Sequence, residues 1–185
     1  MDLKEFELIY NENRCEIKEK QKVEAKLKEI VGVKNVSTKE IDILAYTKDT
    51  TLIGFNWTLQ GKIAGLPDFI TWPETVEQLT EILKFANQEN IPVIPYGEGS
   101  GVVGGAIPVY GGIIIDMKKF NKILNINDKD LTVTVESGIN GMNLERYLNA
   151  QGYTHGHIPQ SLNYSSVGGW IAHRSAGQFS TKYGK

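Results

Sequence analysis

The chain has 185 residues, 41% of them apolar and 23% charged, with a formal net charge of -2; that is enough for one domain with a real core or for two small lobes. The near-neutral balance leaves no electrostatic footprint for nucleic acid, and no apolar run reaches membrane-spanning length. The single cysteine, Cys15, rules out an internal disulfide and fits a reducing, cytoplasmic setting, and the mixed acidic and basic N-terminus does not read as a signal peptide.

From Met1 to about Ile30 the chain is dense in Lys and Glu. Leu3, Phe6, Ile9 and Tyr10 fit one helical stripe and Val23, Leu27, Ile30 and Val31 another, which predicts two helices, or one broken near Asn11 to Asn13. Glu24 and Lys28, four apart, support a solvated helix face. Gly32 to Asn35 ends this helix, and Glu40 to Tyr46 is a short helical or irregular stretch. Thr47 to Gly65 has no clear period and reads as a surface loop. Asp68 to Trp72 is a strand stopped by Pro73. Thr75, with Gln78 three residues on, makes a capping box. The helix it opens has Val76, Leu79, Ile82, Leu83 and Ala86 on one apolar face, and Ile91 to Pro95 is the next strand.

That strand runs into Pro95-Tyr96-Gly97-Glu98-Gly99-Ser100-Gly101-Val102-Val103-Gly104-Gly105. Gly97, Gly99, Ser100, Gly101, Gly104 and Gly105 put few Cβ atoms in front of the backbone N–H groups, so the loop can wrap an anion closely. A diphosphate is the natural guest, and Ser100 adds a hydroxyl. The loop holds no Lys, Arg or His, so backbone dipoles must do the holding. No Gly-Lys-Ser/Thr follows, which excludes a Walker loop, and the GxGxxG match of Gly99, Gly101 and Gly104 is weak by itself. A flexible surface turn is the alternative. The loop follows a strand–helix–strand unit, hence lies at a strand's carboxyl end, where Gly-rich phosphate loops usually sit.

Further on, Gly112 to Asp116 is a β-branched run and so a buried strand. Ile123 to Asn127 and Leu131 to Glu136, joined by Asp128-Lys129-Asp130, form a hairpin. Gly138 and Gly141 mark the turn into a helix capped by Asn140 and lined by Met142, Leu144, Tyr147 and Leu148; Gly152 ends it. Tyr153 to Val167 is a polar loop. Gly168 and Gly169 then open a helix, where free N–H groups and a positive dipole offer a second place for a phosphate or a flavin carbonyl. Arg174 is the cation in this segment and reads as a surface charge or as a contact to a flavin or diphosphate oxygen. Phe179 to Lys185 forms no obvious element. His155, His157 and His173 lack a cysteine or carboxylate to complete a zinc set. Ser161, Ser165 and Ser166 lack a nucleophile elbow, and Trp72 and Trp170 read as core.

From about Ala25 to Lys185 these segments, in this order and spacing, resemble the FAD-binding domain of flavoenzymes of the vanillyl-alcohol oxidase type. The chain is most similar to the glycolate oxidase and D-lactate dehydrogenase branch and to alkyldihydroxyacetonephosphate synthase. The resemblance rests on Pro67 to Pro73, Pro95 to Gly101, Asp116-Met117, Gly156 to Ser161 and Ser166 to Gly177. It implies an α+β fold of two lobes with FAD held between them. The division it implies is an N-terminal helical segment and loop (residues 1–62), a first FAD-binding lobe (63–136) and the start of a second (137–185), left incomplete. It implies that Pro95, Tyr96, Gly97, Glu98, Gly99, Ser100 and Gly101 wrap the diphosphate. It also implies that Gln160, Ser161, Leu162, Asn163, Tyr164, Ser165 and Ser166, then Gly168 and Gly169, then His173, Arg174, Ser175 and Ala176, line the flavin side. Many relatives link a first-loop histidine covalently to the flavin; Ser100 stands at the matching place, so noncovalent FAD is expected.

The activity implied is oxidation of a small 2-hydroxy acid by hydride transfer to the flavin. The alternatives are an alkyldihydroxyacetonephosphate synthase-like enzyme, which uses the flavin without net redox turnover, and a catalytically silent flavin-binding fragment. The expected partners are a small-molecule substrate and either a C-terminal partner chain or a second copy, with no nucleic acid and no integral membrane segment. No metal is expected, and no catalytic base can be named, because in the family such residues lie in a further domain.

Overall fold

The structure is a computed structural model and describes residues 3–185; Met1 and Asp2, the start of the expected N-terminal helical segment 1–62, lie outside the described residues. Past them the chain departs from its helical spacing. Leu3–Glu5 and Asn11–Asn13 are 3-10 turns, and Glu7–Leu8 is a short strand, β1. Lys20–Val31 forms α1 as its stripe predicts, with Val23, Leu27 and Val31 buried. Val36–Ser37 is β2 and Glu40–Ala45 is α2.

The stretch predicted as a loop holds α3 (Leu52–Leu59) and β3 (Lys62–Ile63). β3 pairs in parallel with β1, so a non-local partner overrides the helical spacing of Leu3, Phe6, Ile9 and Tyr10. Leu52, Ile53, Phe55 and Leu59 of α3 are exposed while Gly54 is buried. A helix whose large apolar residues are mostly exposed shows no core-facing apolar period to read.

Phe69–Thr71 is β4, Val76–Gln88 is α4, Val93–Tyr96 is β5 and Ile113–Asp116 is β6. They follow the predicted strand–helix–strand order and build a four-stranded sheet in the order β2-β4-β6-β5. β4, β6 and β5 run parallel, and β2 lies antiparallel on the edge. Ile113, Ile114 and Ile115 on the central strand are at most 2% exposed, the burial that β-branched runs in parallel sheets satisfy. Thr75 caps α4, its side chain accepting from Gln78 N–H at 3.2 Å. The reciprocal arm of the box goes one residue upstream, Gln78 Oε1 accepting from Glu74 N–H at 2.8 Å. Ile82 and Ala86 are buried, whereas Val76 and Leu83 are exposed, so the predicted apolar stripe is wider than the buried one.

The chain divides into two units, one ending at Asp116 and one from Met117 to Lys185. The hairpin thereby groups with the second unit and not with the segment 63–136. It consists of β7 (Ile123–Asn127) and β8 (Thr132–Val135), antiparallel with a register shift between Ile123 and Asn125. Its apolar residues Ile123, Ile126, Val133 and Val135 pack on Ile139, Leu144 and Leu148. The last two lie on α5 (Gly141–Asn149), capped as predicted by Asn140, which accepts from Met142 N–H at 3.0 Å and Asn143 N–H at 3.3 Å. Val167–Ala172 is α6, and the tail, predicted to lack structure, carries α7 (Ser180–Tyr183). The Tyr183 ring covers Gly156, 2.6 Å from where a Cβ there would stand.

Candidate cofactor site

β5 ends at Tyr96, and residues 97–105 follow at the carboxyl end of the parallel strands. Pro95 is exposed, Tyr96 buried, and Gly97, Glu98, Gly99, Ser100 and Gly101 half-buried. Gly99 adopts a φ of +68°, and a Cβ on it would stand 2.0 Å from the Tyr96 hydroxyl, so both conformation and space require glycine there. The backbone N–H groups of Gly99, Ser100, Gly101, Val102 and Val103 donate to no acceptor among the described residues. Gly104 N–H is different: it donates to Asp49 Oδ2 at 2.8 Å.

Below the loop lies an acidic, aromatic floor. Tyr46 packs edge-on against Tyr96, ring centroids 4.6 Å apart, and donates to the fully buried Asp116 at 2.5 Å. It also accepts from Trp72 Nε1 at 3.2 Å. Burial, and then the charges of Asp116, Asp49 and Glu98, raise the Tyr96 hydroxyl above its ordinary value. Burial and Asp116 raise Tyr46 likewise. Both phenols therefore stay protonated, and an arriving anion relies on backbone N–H groups for its stabilisation.

The second predicted segment is built differently. The N-terminus of α6 does not present free N–H groups. Val167 N–H donates to Ile139 O at 3.1 Å, Gly168 N–H to Ser137 O at 2.7 Å and Gly169 N–H to Ser166 Oγ at 3.3 Å. The expectation of an open anion site at Gly168 and Gly169 is corrected on this point: protein acceptors already satisfy those donors. The lack of a side chain at Gly168 has a packing reason, since a Cβ there would stand 2.8 Å from Ser137. Ser165 and Ser166 are buried, with Ser165 Oγ donating to Ser161 O at 2.8 Å and accepting from Trp170 Nε1 at 2.7 Å. Leu162 is buried; Gln160, Asn163 and Tyr164 are exposed. Trp170 is buried as predicted, and its backbone carbonyl accepts from Ser175 N–H at 2.8 Å. Ser165 thus meets the Trp170 indole and Ser175 its backbone carbonyl.

His173, Arg174 and Ala176 are exposed and Ser175 half-buried. Arg174 has a φ of +49°. Its N–H bonds Ile171 O while Ser175 N–H bonds Trp170 O, the two bonds of a Schellman helix end with arginine where glycine is favoured. A left-handed non-glycine residue is strained, and here it falls inside a predicted contact segment.

His155 and His157 flank the same indole, ring centroids 5.3 and 4.9 Å from it. His157 N–H donates to His155 Nδ1 at 3.0 Å, so the neutral His155 ring carries its proton on Nε2. That Nε2 lies 3.0 Å from Glu145 Oε2, a close contact without an aligned hydrogen bond. His157 Nε2 lies 3.1 Å from Ser175 Oγ. Local pattern gave no sign of Glu145, which is buried on α5 and also accepts from Thr154 Oγ1 at 2.7 Å. Burial lowers both imidazoles; for His155 the charge of Glu145 partly opposes this.

A pH effect follows. The folded state holds His155 neutral, while the unfolded chain takes up a proton near pH ~6.5. Its stabilising contribution is complete above that value and is lost as pH falls through it toward the lowered folded value. The melting temperature should drop between about pH 7.5 and about pH 5.5, and His155→Gln should flatten that slope. Equal slopes in both proteins would show that His155 is not held neutral.

A sequence profile of the FAD binding domain family matches residues 67–185, from the lead-in to β4 through the glycine-rich loop, the indole cluster and the tail. This chain belongs to that family. Its cofactor is therefore FAD, and the loop donors fit: five consecutive N–H groups without a competing acceptor suit the oxygens of a diphosphate. Alkyldihydroxyacetonephosphate synthase of Dictyostelium discoideum is 37% identical over 127 residues, covering 67% of this chain and 21% of that protein. The glycolate oxidase subunit GlcD of Bacillus subtilis is 28% identical over 162 residues, covering 88% of this chain and 33% of that protein. A solved alkyldihydroxyacetonephosphate synthase overlays 100% of this chain and 34% of its own, with a TM-score of 0.84 and 28% identity. The chain therefore spans 21% to 34% of the length of these relatives, and the α+β fold of their FAD-binding domain is its fold. Among the described residues no three His, Cys, Asp or Glu side chains gather as a metal site, and no helix is long and apolar enough to cross a membrane.

Proposed function

We propose that the chain is the FAD-holding part of an FAD-dependent oxidoreductase that grips the diphosphate through the backbone N–H groups of residues 99–103. The row of N–H groups without protein acceptors carries this reading. When bound, the flavin supplies the hydride-accepting ring. Pro95 to Gly101 supply the shape around the diphosphate, with Ser100 as a hydroxyl donor. Gln160, Ser161, Asn163, Tyr164, His173, Arg174, Ser175 and Ala176 are the proposed flavin-side contacts of the second unit. Titrating the protein with FAD tests the reading: saturable one-to-one binding is expected, and no binding would overturn it.

Ser100 offers no stable bond to a flavin carbon, so we hold the binding to be noncovalent. Acid precipitation of the loaded protein should give a colourless pellet and a yellow supernatant. A yellow pellet would contradict this and direct attention to His155, His157 and His173 as attachment points.

Two substrate readings remain. Likeness to glycolate oxidase subunit GlcD supports a small 2-hydroxy acid as hydride donor. Likeness to alkyldihydroxyacetonephosphate synthase supports the second, and the overlay across the entire chain favours it. Anaerobic addition of glycolate or D-lactate to the FAD-loaded protein tests the first: bleaching of the visible flavin absorbance supports it, and an unchanged spectrum contradicts it, as expected of the second or of a catalytically silent flavin-binding fragment.

A further inference from the structure

We infer that Asp49 and Thr50 are positioning residues for the cofactor, a strap that turns the peptide units of the glycine-rich loop so that their N–H groups face the diphosphate. The inference rests on the reading of that loop as the diphosphate site. The strap lies between α2 and α3, about fifty residues from the loop in sequence. Thr50 N–H donates to Gly101 O at 2.9 Å. The Thr50 hydroxyl, with one proton to give, lies 2.9 Å from both Ser100 O and Gly101 O. Asp49 is buried; its Oδ2 accepts from Gly104 N–H at 2.8 Å, and its Oδ1 accepts from Thr51 N–H at 2.8 Å and from the Thr51 hydroxyl.

The geometry of the peptide bond makes these contacts directional. In a trans peptide the C=O of one residue and the N–H of the next point opposite ways. With the carbonyls of Ser100 and Gly101 drawn toward Thr50, the N–H groups of Gly101 and Val102 point away from the strap. Those two sit within the row of N–H groups that meet no protein acceptor. Asp49 fixes the far end by taking the Gly104 N–H and, through Oδ1, shapes the turn that presents Thr50. Without the strap, a stretch this rich in glycine samples many backbone conformations, and binding must bear the entropy of ordering it.

The test uses the full chain and FAD. Thr50→Val removes the hydroxyl but keeps shape and N–H; Thr50→Ser keeps the hydroxyl; Asp49→Asn keeps shape and removes the second strong acceptor. Affinity is read from quenching of flavin fluorescence, folding from the melting temperature, and loop geometry from the amide NMR signals of Gly101 and Val102 in FAD-free protein. Thr50→Val and Asp49→Asn should each weaken FAD binding about tenfold. The two amide signals should shift and the melting temperature of Thr50→Val should stay near that of the wild type, and Thr50→Ser should restore both affinity and signals. Wild-type affinity in both weakened variants overturns the proposal alone, as does a loss that merely tracks the melting temperature and is not rescued by Thr50→Ser. Failure of the wild type itself to bind FAD overturns the proposal together with the reading beneath it.

Discussion

A Gly99→Val variant should lose FAD while α4 stays folded. At Gly99 the backbone sits at a φ of +68°, and a Cβ would stand 2.0 Å from the Tyr96 hydroxyl. A β-branched residue in the left-handed region is strained by about 2–3 kcal/mol before any collision is counted. The collision cannot be relieved cheaply, because Tyr96 is 8% exposed and packed on Tyr46. The loop must therefore move, and the N–H row moves with it. Converted to affinity, the strain alone is roughly a hundredfold, so the protein should purify without flavin colour. Helix α4 is capped by its own Thr75 and packs through Ile82 and Ala86, so the helical circular dichroism should persist. A yellow, flavin-loaded variant would show that this loop does not hold the diphosphate.

Asp68→Ala should have the largest effect on stability, with little effect on the cofactor. The Asp68 side chain is 1% exposed, and its Oδ1 receives Arg14 and Lys20, each at 2.6 Å. Its Oδ2 accepts from Gly112 N–H at 2.8 Å. Removing one member of a buried charge cluster costs about 3–5 kcal/mol. Arg14 and Lys20 side chains are 25% and 55% exposed and can recover water, which places the cost near the lower end, about 3 kcal/mol. The buried Gly112 N–H has no such recourse. The urea midpoint should fall with an unchanged slope, and Asp68→Asn, which keeps an acceptor for Gly112, should lie between. Asp68 precedes β4 at the amino end of the parallel strands, whereas the loop leaves their carboxyl end. Folded Asp68→Ala should accordingly bind FAD as the wild type does. A variant as stable as the wild type would mean that the cluster contributes nothing net.

The elements legible in sequence share one property: the information lies within a dozen residues. The Ile113–Asp116 run, the Thr75 and Asn140 caps and the β7–β8 hairpin carry their own propensities and periods, and the structure agrees with each. What escaped reading depends on distant partners. β1 forms only because Lys62 and Ile63 lie beside it. Helix α3 hides its identity by exposing its large apolar residues. The Asp49–Gly104 bond joins residues 55 apart, and Glu145 gains its meaning from His155 and Thr154, which a polar loop returns to α5. Composition alone shows that the glycine-rich loop puts few Cβ atoms in front of its N–H groups, and five of those groups meet no acceptor among the described residues. That the N–H groups of Val167 and Gly168 at α6 are already satisfied is not legible from composition, because their acceptors, Ile139 and Ser137, lie some thirty residues upstream.

The amide NMR spectrum of the isotope-labelled protein reports whether the backbone N–H groups of residues 99–103 hold the FAD diphosphate. On titration with FAD, the signals of Gly99, Ser100, Gly101, Val102 and Val103 should move downfield and gain protection from hydrogen exchange, and ADP, which carries the same diphosphate without the flavin, should shift the same group. Gly104, already bonded to Asp49, should move least. Saturable FAD binding that leaves these five signals in place would contradict the account.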